Sequence, residues 1–149
     1  MSCIFCDIVS RKAEASIVYE DAEHLAFLSL FPNTLGATLV IPKIHYTSYA
    51  FSLPDDVLSK LILCTKKVAL MLDQKLGVGR TAMVFEGFGV NHIHAKLFPL
   101  HGTSALTPWE PKFANETVYF KEYQGFISTQ DGPIASRTEL DSLAAKIKS

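Results

Sequence analysis

The run Gly87-Phe88-Gly89-Val90-Asn91-His92-Ile93-His94-Ala95-Lys96-Leu97-Phe98-Pro99 constrains the fold of this chain more than any other stretch. Side chains alternate across a pleated backbone, so a strand here sets His92, His94 and Lys96 on one face and Ile93, Ala95 and Leu97 on the other. The apolar face belongs to a core. An imidazole pair backed by an ammonium suits an anion or a metal, since a merely solvated strand would carry mixed charges or hydroxyls. By itself the pattern describes a sheet face with two hydrogen-bonded histidines equally well, and its meaning depends on the rest of the chain.

The chain of 149 residues is long enough for one domain with one core, 48% hydrophobic, 19% charged and of net charge -1. That balance excludes a disordered tail and a polyanion-binding surface, so nucleic acid is not expected as a partner and any phosphate chemistry must be local. No run approaches the roughly 20 apolar residues that cross a bilayer, and the N-terminus lacks the basic-then-apolar pattern of a leader, so a cytoplasmic protein is expected. Three cysteines, Cys3, Cys6 and Cys64, make an odd number. This argues against a disulfide framework and leaves Cys3 and Cys6 as a C-x-x-C pair.

Taken in order, Cys3 to Val9 reads as a tight knuckle entering a short helical turn. Ser16 to Glu20 and Leu25 to Leu30 read as strands around a polar turn, Asp21 to His24, in which His24 is expected to be solvated. Ala37 to Ile41 is a third strand, stopped by Pro42. Ser52-Leu53-Pro54-Asp55-Asp56 reads as a helix start capped by Ser52, and apolar residues then recur at helical spacing until Gly77. Cys64 lies inside that helix as a small buried hydrophobe. Thr81 to Phe85 is a fourth strand. Beyond Pro99 the signal weakens: Thr117 to Phe120 and Phe126 to Ser128 could be short strands, Asp131-Gly132-Pro133 a turn, and Ser136-x-x-Glu139 opens a final amphipathic helix with Leu140, Leu143, Ala144 and Ile147 on one side.

Cys3, Cys6, His45 and His92 together would supply two thiolates and two imidazoles, a donor set that suits tetrahedral zinc. Four protein ligands leave no open position, so such a site is structural and leaves His94 for chemistry. A neutral His94 ring whose second nitrogen donates to a backbone carbonyl can attack phosphorus, passing through a phosphohistidine that water then hydrolyses. Lys96 on the same face would neutralise charge growing on the phosphate oxygens. A C-x-x-C redox protein is a further reading, which requires a titratable dithiol and no stoichiometric zinc.

Cys3-Ile4-Phe5-Cys6, Val18-Tyr19-Glu20-Asp21, Leu25-Ala26-Phe27-Leu28, Leu39-Val40-Ile41-Pro42-Lys43-Ile44-His45 and His92-Ile93-His94 follow one another in the order used by the histidine triad (HIT) family. The chain resembles that family from Cys3 to about Pro99. The resemblance implies an α+β fold with a HIT-like antiparallel sheet of about five strands, one long helix and a C-terminal helix. It makes 1-149 a single HIT-like domain, with residues 1-100 as the family core and 101-149 as a divergent C-terminal extension. It implies a homodimer joined through helix and sheet edge, and hydrolase or nucleotidyl transferase activity on a nucleotide phosphoramidate or phosphoanhydride.

Zinc at Cys3, Cys6, His45 and His92, and His94 as a nucleophile oriented by the main-chain carbonyl of His92, are implied with it. So are a nucleoside pocket at Phe5, Ile8, Phe27, Ser29 and Leu30 and a phosphate loop at Gly87, Phe88 and Gly89. The chain departs from the family pattern in three places. Lys96 replaces the third histidine, Ser29 stands where an Asp usually holds the ribose, and the phosphate loop is shortened to Glu86-Gly87-Phe88-Gly89, where the Glu86 carboxylate would repel a phosphate if it faced the pocket. The alternative these departures raise is a non-catalytic protein that keeps the fold and the zinc and holds or senses a phosphorylated ligand.

Overall fold

The computed structural model describes residues 3–103, 109–129 and 133–148. Its elements run α1 (Ile4–Val9), β1 (Ile17–Glu20), β2 (His24–Leu28), β3 (Thr38–Pro42), a short 3-10 turn (Ala50–Ser52), α2 (Asp55–Leu76), β4 (Thr81–Val84), β5 (Ala95–Pro99) and α3 (Arg137–Lys148). The strands form one antiparallel sheet in the order β1-β2-β3-β5-β4. The α+β fold expected from the sequence is the fold observed. The chain divides into two compact units, Met1–Trp109 with the whole sheet and Glu110–Ser149 with α3.

Parity sorts the sheet's two faces. Ala26, Val40, Ile93, Ala95 and Leu97 are buried against Leu61, Cys64, Val68 and Leu72 of α2. On the other face Leu25, Phe27 and Ile41 are buried against Phe5 and Ile8 of α1. The 22 residues of α2 are held at one end by the two first-turn carboxylates Asp55 and Asp56, and at the other by Gly77, whose left-handed backbone closes the last turn.

Several expectations need correction. Ser52 does not cap α2: its hydroxyl donates to the carbonyl of Tyr49 inside the 3-10 turn, and the helix starts after Pro54. His24 is not solvated. It opens β2 and is buried on the α2 face, because its parity matches that of Ala26. β5 begins at Ala95, three residues later than the histidine run suggests. The amide of His92 donates to Val90 and that of Ile93 to Tyr46, so neither joins the ladder. In the second unit, Thr117–Phe120 and Phe126–Ser128 are irregular rather than strands. The Asp131-Gly132-Pro133 turn falls partly outside the described residues. α3 forms, with the amide of Glu139 donating to Ser136 Oγ at 3.2 Å. No helix among the described residues is long and apolar enough to cross a membrane.

Candidate active site and metal centre

The knuckle at the N-terminus, the segment after β3 and the segment before β5 converge on one point. Three of the sulfur–nitrogen separations there are 3.5 Å (Cys3 Sγ to His92 Nδ1), 3.4 Å (Cys6 Sγ to His45 Nδ1) and 3.6 Å (Cys6 Sγ to His92 Nδ1). All four donor atoms lie within 4.8 Å of one another, so the cluster could hold a metal ion. Its geometry is fixed from behind: His92 Nε2 donates to the carbonyl of Pro42 at 2.9 Å, which leaves Nδ1 as the unprotonated nitrogen facing the thiols. Burial holds the His92 imidazole below its ordinary pKa against the pull of that carbonyl, and the neighbouring His45 and His94 rings act in the same sense. The Cys6 thiol is raised by partial burial, by its hydrogen bond with Cys3 and by the charges of Cys3 and Asp7. A bound divalent cation reverses that tendency, since coordinated thiols deprotonate.

His94 sits beside this cluster with its parity intact. Its Nδ1 donates to the main-chain carbonyl of His92 at 2.7 Å, so the proton belongs on Nδ1 and the lone pair on Nε2. The edge-on ring of Phe5 packs against both His92 and His94, at centroid distances of 5.8 and 5.3 Å. His94 is 3% exposed. Among the described residues none offers a hydrogen-bond partner to Nε2. Burial lowers the pKa of the ring against its bond to the His92 carbonyl, with Lys96 lowering it further and Glu86 raising it.

Lys96 lies on the same face, its ammonium donating to Glu86 Oε2 at 2.7 Å. The sequence did not suggest this pairing. β4 and β5 pair Val84 with Lys96 as the last rung of their ladder, and Glu86 follows two residues beyond it. The carboxylate expected to repel a phosphate is thus bound to the ammonium expected to attract one. The loop between β4 and His92 is fastened to the segment carrying His45 by the amide of Ser48, which donates to Asn91 Oδ1 at 3.0 Å, and by Ile93 N donating to Tyr46 O at 3.0 Å.

The nucleoside positions are distributed unevenly. Phe5, Ile8 and Phe27 form one buried cluster beneath the histidines, whereas Leu30 and Phe88 are strongly exposed. Ser29 is half-buried, and its hydroxyl accepts the amide of Phe31. Gly87 has a left-handed backbone with φ of 83°, and Gly89 is exposed. Sequence reasoning missed Glu86 as a partner of Lys96, Asn91 as a fastener and Pro42 as the carbonyl that sets the His92 tautomer.

A second group of potential ligands, Asp21, His24 and Cys64, also gathers within 4.8 Å. Asp21 is already committed there, accepting from the amides of Glu23 and His24, from His24 Nδ1 and from the Tyr19 hydroxyl. Burial pushes the Cys64 thiol up to about 11, which keeps it protonated and inert.

The fold and the site define an α+β protein organised around neighbouring imidazoles at the start of an inner strand. The HIT domain matches residues 10–103, and the chain belongs to the HIT family. A relative in Methanocaldococcus jannaschii, an uncharacterized HIT-like protein, is 41% identical over 106 residues, covering 65% of this chain and 78% of that protein. Among solved structures, SMU.412c of Streptococcus mutans is similar with a TM-score of 0.66 at 28% identity, covering 99% of this chain and 83% of that one. A hypothetical histidine triad nucleotide-binding protein of Sulfolobus tokodaii is similar with a TM-score of 0.62 at 26% identity, covering 98% of this chain and 89% of that one.

Proposed function

We propose that this protein is a hydrolase or nucleotidyl transferase that cleaves a nucleotide phosphoramidate or phosphoanhydride through a covalent intermediate on His94. The observation that carries the reading is the bond from His94 Nδ1 to the His92 carbonyl, which leaves the Nε2 lone pair unprotonated. The Nε2 lone pair forms a bond to the α-phosphorus, and the bond to the leaving amine or phosphate breaks, its electron pair departing with that group, which takes a proton from solvent water. A water oxygen then attacks the same phosphorus and gives up a proton to solvent, the P–N bond returns its electrons to Nε2, and the nucleoside monophosphate leaves. Lys96 supplies positive charge at the phosphate oxygens in both steps. Likeness to the Sulfolobus tokodaii hypothetical histidine triad nucleotide-binding protein supports the substrate class.

Zinc fits the four-donor cluster. At Zn–S of about 2.3 Å and Zn–N of about 2.05 Å, a tetrahedral angle gives a sulfur–nitrogen edge of about 3.6 Å. Three of the four sulfur–nitrogen separations are 3.4 to 3.6 Å, and all four donors lie within 4.8 Å of one another. Cys3, Cys6, His45 and His92 would hold the ion with no position left for substrate, so its contribution is to lock the backbone from which His94 is oriented. The same reading takes the protein as a cytoplasmic homodimer joined through α2 and the β4 edge.

The test incubates wild type and His94→Ala with adenosine phosphoramidate and diadenosine polyphosphates, traps the protein adduct by acid-free mass spectrometry and measures zinc by atomic absorption. Turnover with an adduct on residue 94, lost in His94→Ala, and one zinc per chain are expected. Nucleotide binding without turnover in wild type would instead identify a phospholigand sensor, the reading favoured by the neutral Ser29 and the neutralised Lys96.

A further inference from the structure

The two charged groups that act on His94 from its own face are bound to each other. Lys96 Nζ and Glu86 Oε2 are 2.7 Å apart, with the carboxylate side chain only 9% exposed and the lysine side chain 31%. A charge shielded to that degree stays beside its partner, because leaving either alone is costly. Their effects on the His94 ring are opposite in sign. Two further cations on the flanking segments, Arg11 after α1 and Lys43 after β3, are both bound to Glu20. A site that receives a polyphosphate chain normally offers cations that are not already neutralised. Here the ammonium nearest the nucleophile arrives with its own counter-ion.

We infer that Glu86 is a specificity-determining residue: by offsetting Lys96 it favours ligands that bring one phosphate charge to the site, such as phosphoramidates and phosphodiesters, and turns away polyphosphate chains, whose charges add. The inference rests on His94 being the centre at which phosphorus binds. Glu86 acts through Lys96 and through the field on the incoming charge, not by touching the reacting atoms. The carboxylate leaves enough of the ammonium's field to steady one phosphate charge while opposing each further one. The Val84–Lys96 pair is the last of the β4–β5 ladder, and Glu86 lies two residues beyond it, where its carboxylate meets the Lys96 ammonium.

The experiment compares wild type, Glu86→Gln, Glu86→Asp and Lys96→Gln. It reads kcat/KM for adenosine phosphoramidate, which brings one phosphate charge, and for diadenosine tetraphosphate, which brings one on each of its phosphates, alongside the affinities of AMP, with about two charges, and ATP, with about four. Taking the ratio of ratios cancels leaving-group effects common to all variants. Glu86→Gln should move both preferences toward the polyphosphate by about tenfold, the scale of one charge acting across ~5 Å at an effective dielectric constant of about 40. Lys96→Gln should move them about as far in the other direction, and Glu86→Asp, which keeps the charge, should hold the wild-type ratio. Raising the salt concentration should shrink every difference.

Unchanged preferences in Glu86→Gln and Lys96→Gln, with AMP still bound, overturn the inference. If wild type favours AMP over ATP and the variants shift as stated, yet no substrate is turned over, charge selection stands and the hydrolase reading falls. If wild type neither binds nor cleaves any of the four, both fall.

Discussion

Asp21 ties four donors to one carboxylate: the amides of Glu23 at 2.8 Å and His24 at 2.7 Å, His24 Nδ1 at 3.2 Å and the Tyr19 hydroxyl at 3.1 Å. Burial pushes this carboxyl up, but the two amides, the hydroxyl and the His24 imidazole outweigh it and hold the carboxyl below its ordinary value. A folded pKa below the unfolded one gives stability that is fully present above the unfolded value, about 4, and is lost as pH falls through the folded value. Asp21→Asn should therefore be less stable than wild type at neutral pH, with the gap closing in acid. Asp21→Ala should cost about 2 kcal/mol at neutral pH by leaving donors unsatisfied. Urea unfolding across a pH series checks both, and a gap that does not narrow in acid refutes the assignment. The sequence shows the polar turn here but not the burial of His24. Polarity predicts a solvated ring, whereas the face His24 takes in β2 depends on where the strand begins, which its neighbours do not specify.

The elements themselves were largely legible, because periodicity reports burial directly: α2 and the alternation of residues 92 to 97 emerge as their spacing requires. What periodicity cannot report is the partner of a backbone amide. His92 and Ile93 look like strand residues, yet their amides donate to Val90 and Tyr46, and this leaves His94 hanging from a bent segment where its Nδ1 can turn back to the His92 carbonyl. The bent segment depends on Gly87. A Cβ added there would lie 2.7 Å from the carbonyl oxygen of Ser48, and the backbone is left-handed at φ of 83°. Gly87→Ala should cost on the order of 2 kcal/mol and detach the loop from the segment carrying His45, so that metal affinity falls along with stability. Gly89→Ala is the control, since a Cβ there meets nothing within 4 Å. Thermal unfolding and metal titration of the two variants should separate clearly, and equal behaviour would show that the close approach at Gly87 does not matter.

At the scale of the whole molecule, the family motifs end near the boundary of the first compact unit, and the segment beyond it was the least readable. Its aromatic and β-branched residues carry strand propensity, but Thr117–Phe120 and Phe126–Ser128 form no ladder, because propensity alone does not make a strand without a pairing partner. The first unit leaves a different feature uncovered. Leu61, Cys64, Val68 and Leu72 bury one stripe of α2, while Leu63 and Leu70, seven residues apart and so on one stripe, are 65% and 58% exposed. β4 closes the sheet at an edge, with Met83 46% exposed. A two-fold association that lays α2 against its copy and extends the sheet through β4 would cover all three side chains and pair the edge amides. Wild type should therefore run as a dimer in light scattering at micromolar concentration. Leu63→Glu with Leu70→Glu sets like charges against one another across the two-fold axis and should give a folded monomer with an unchanged far-ultraviolet spectrum. A double variant that remains dimeric would move the interface away from α2, and a monomeric wild type would mean that these leucines meet solvent in the working protein.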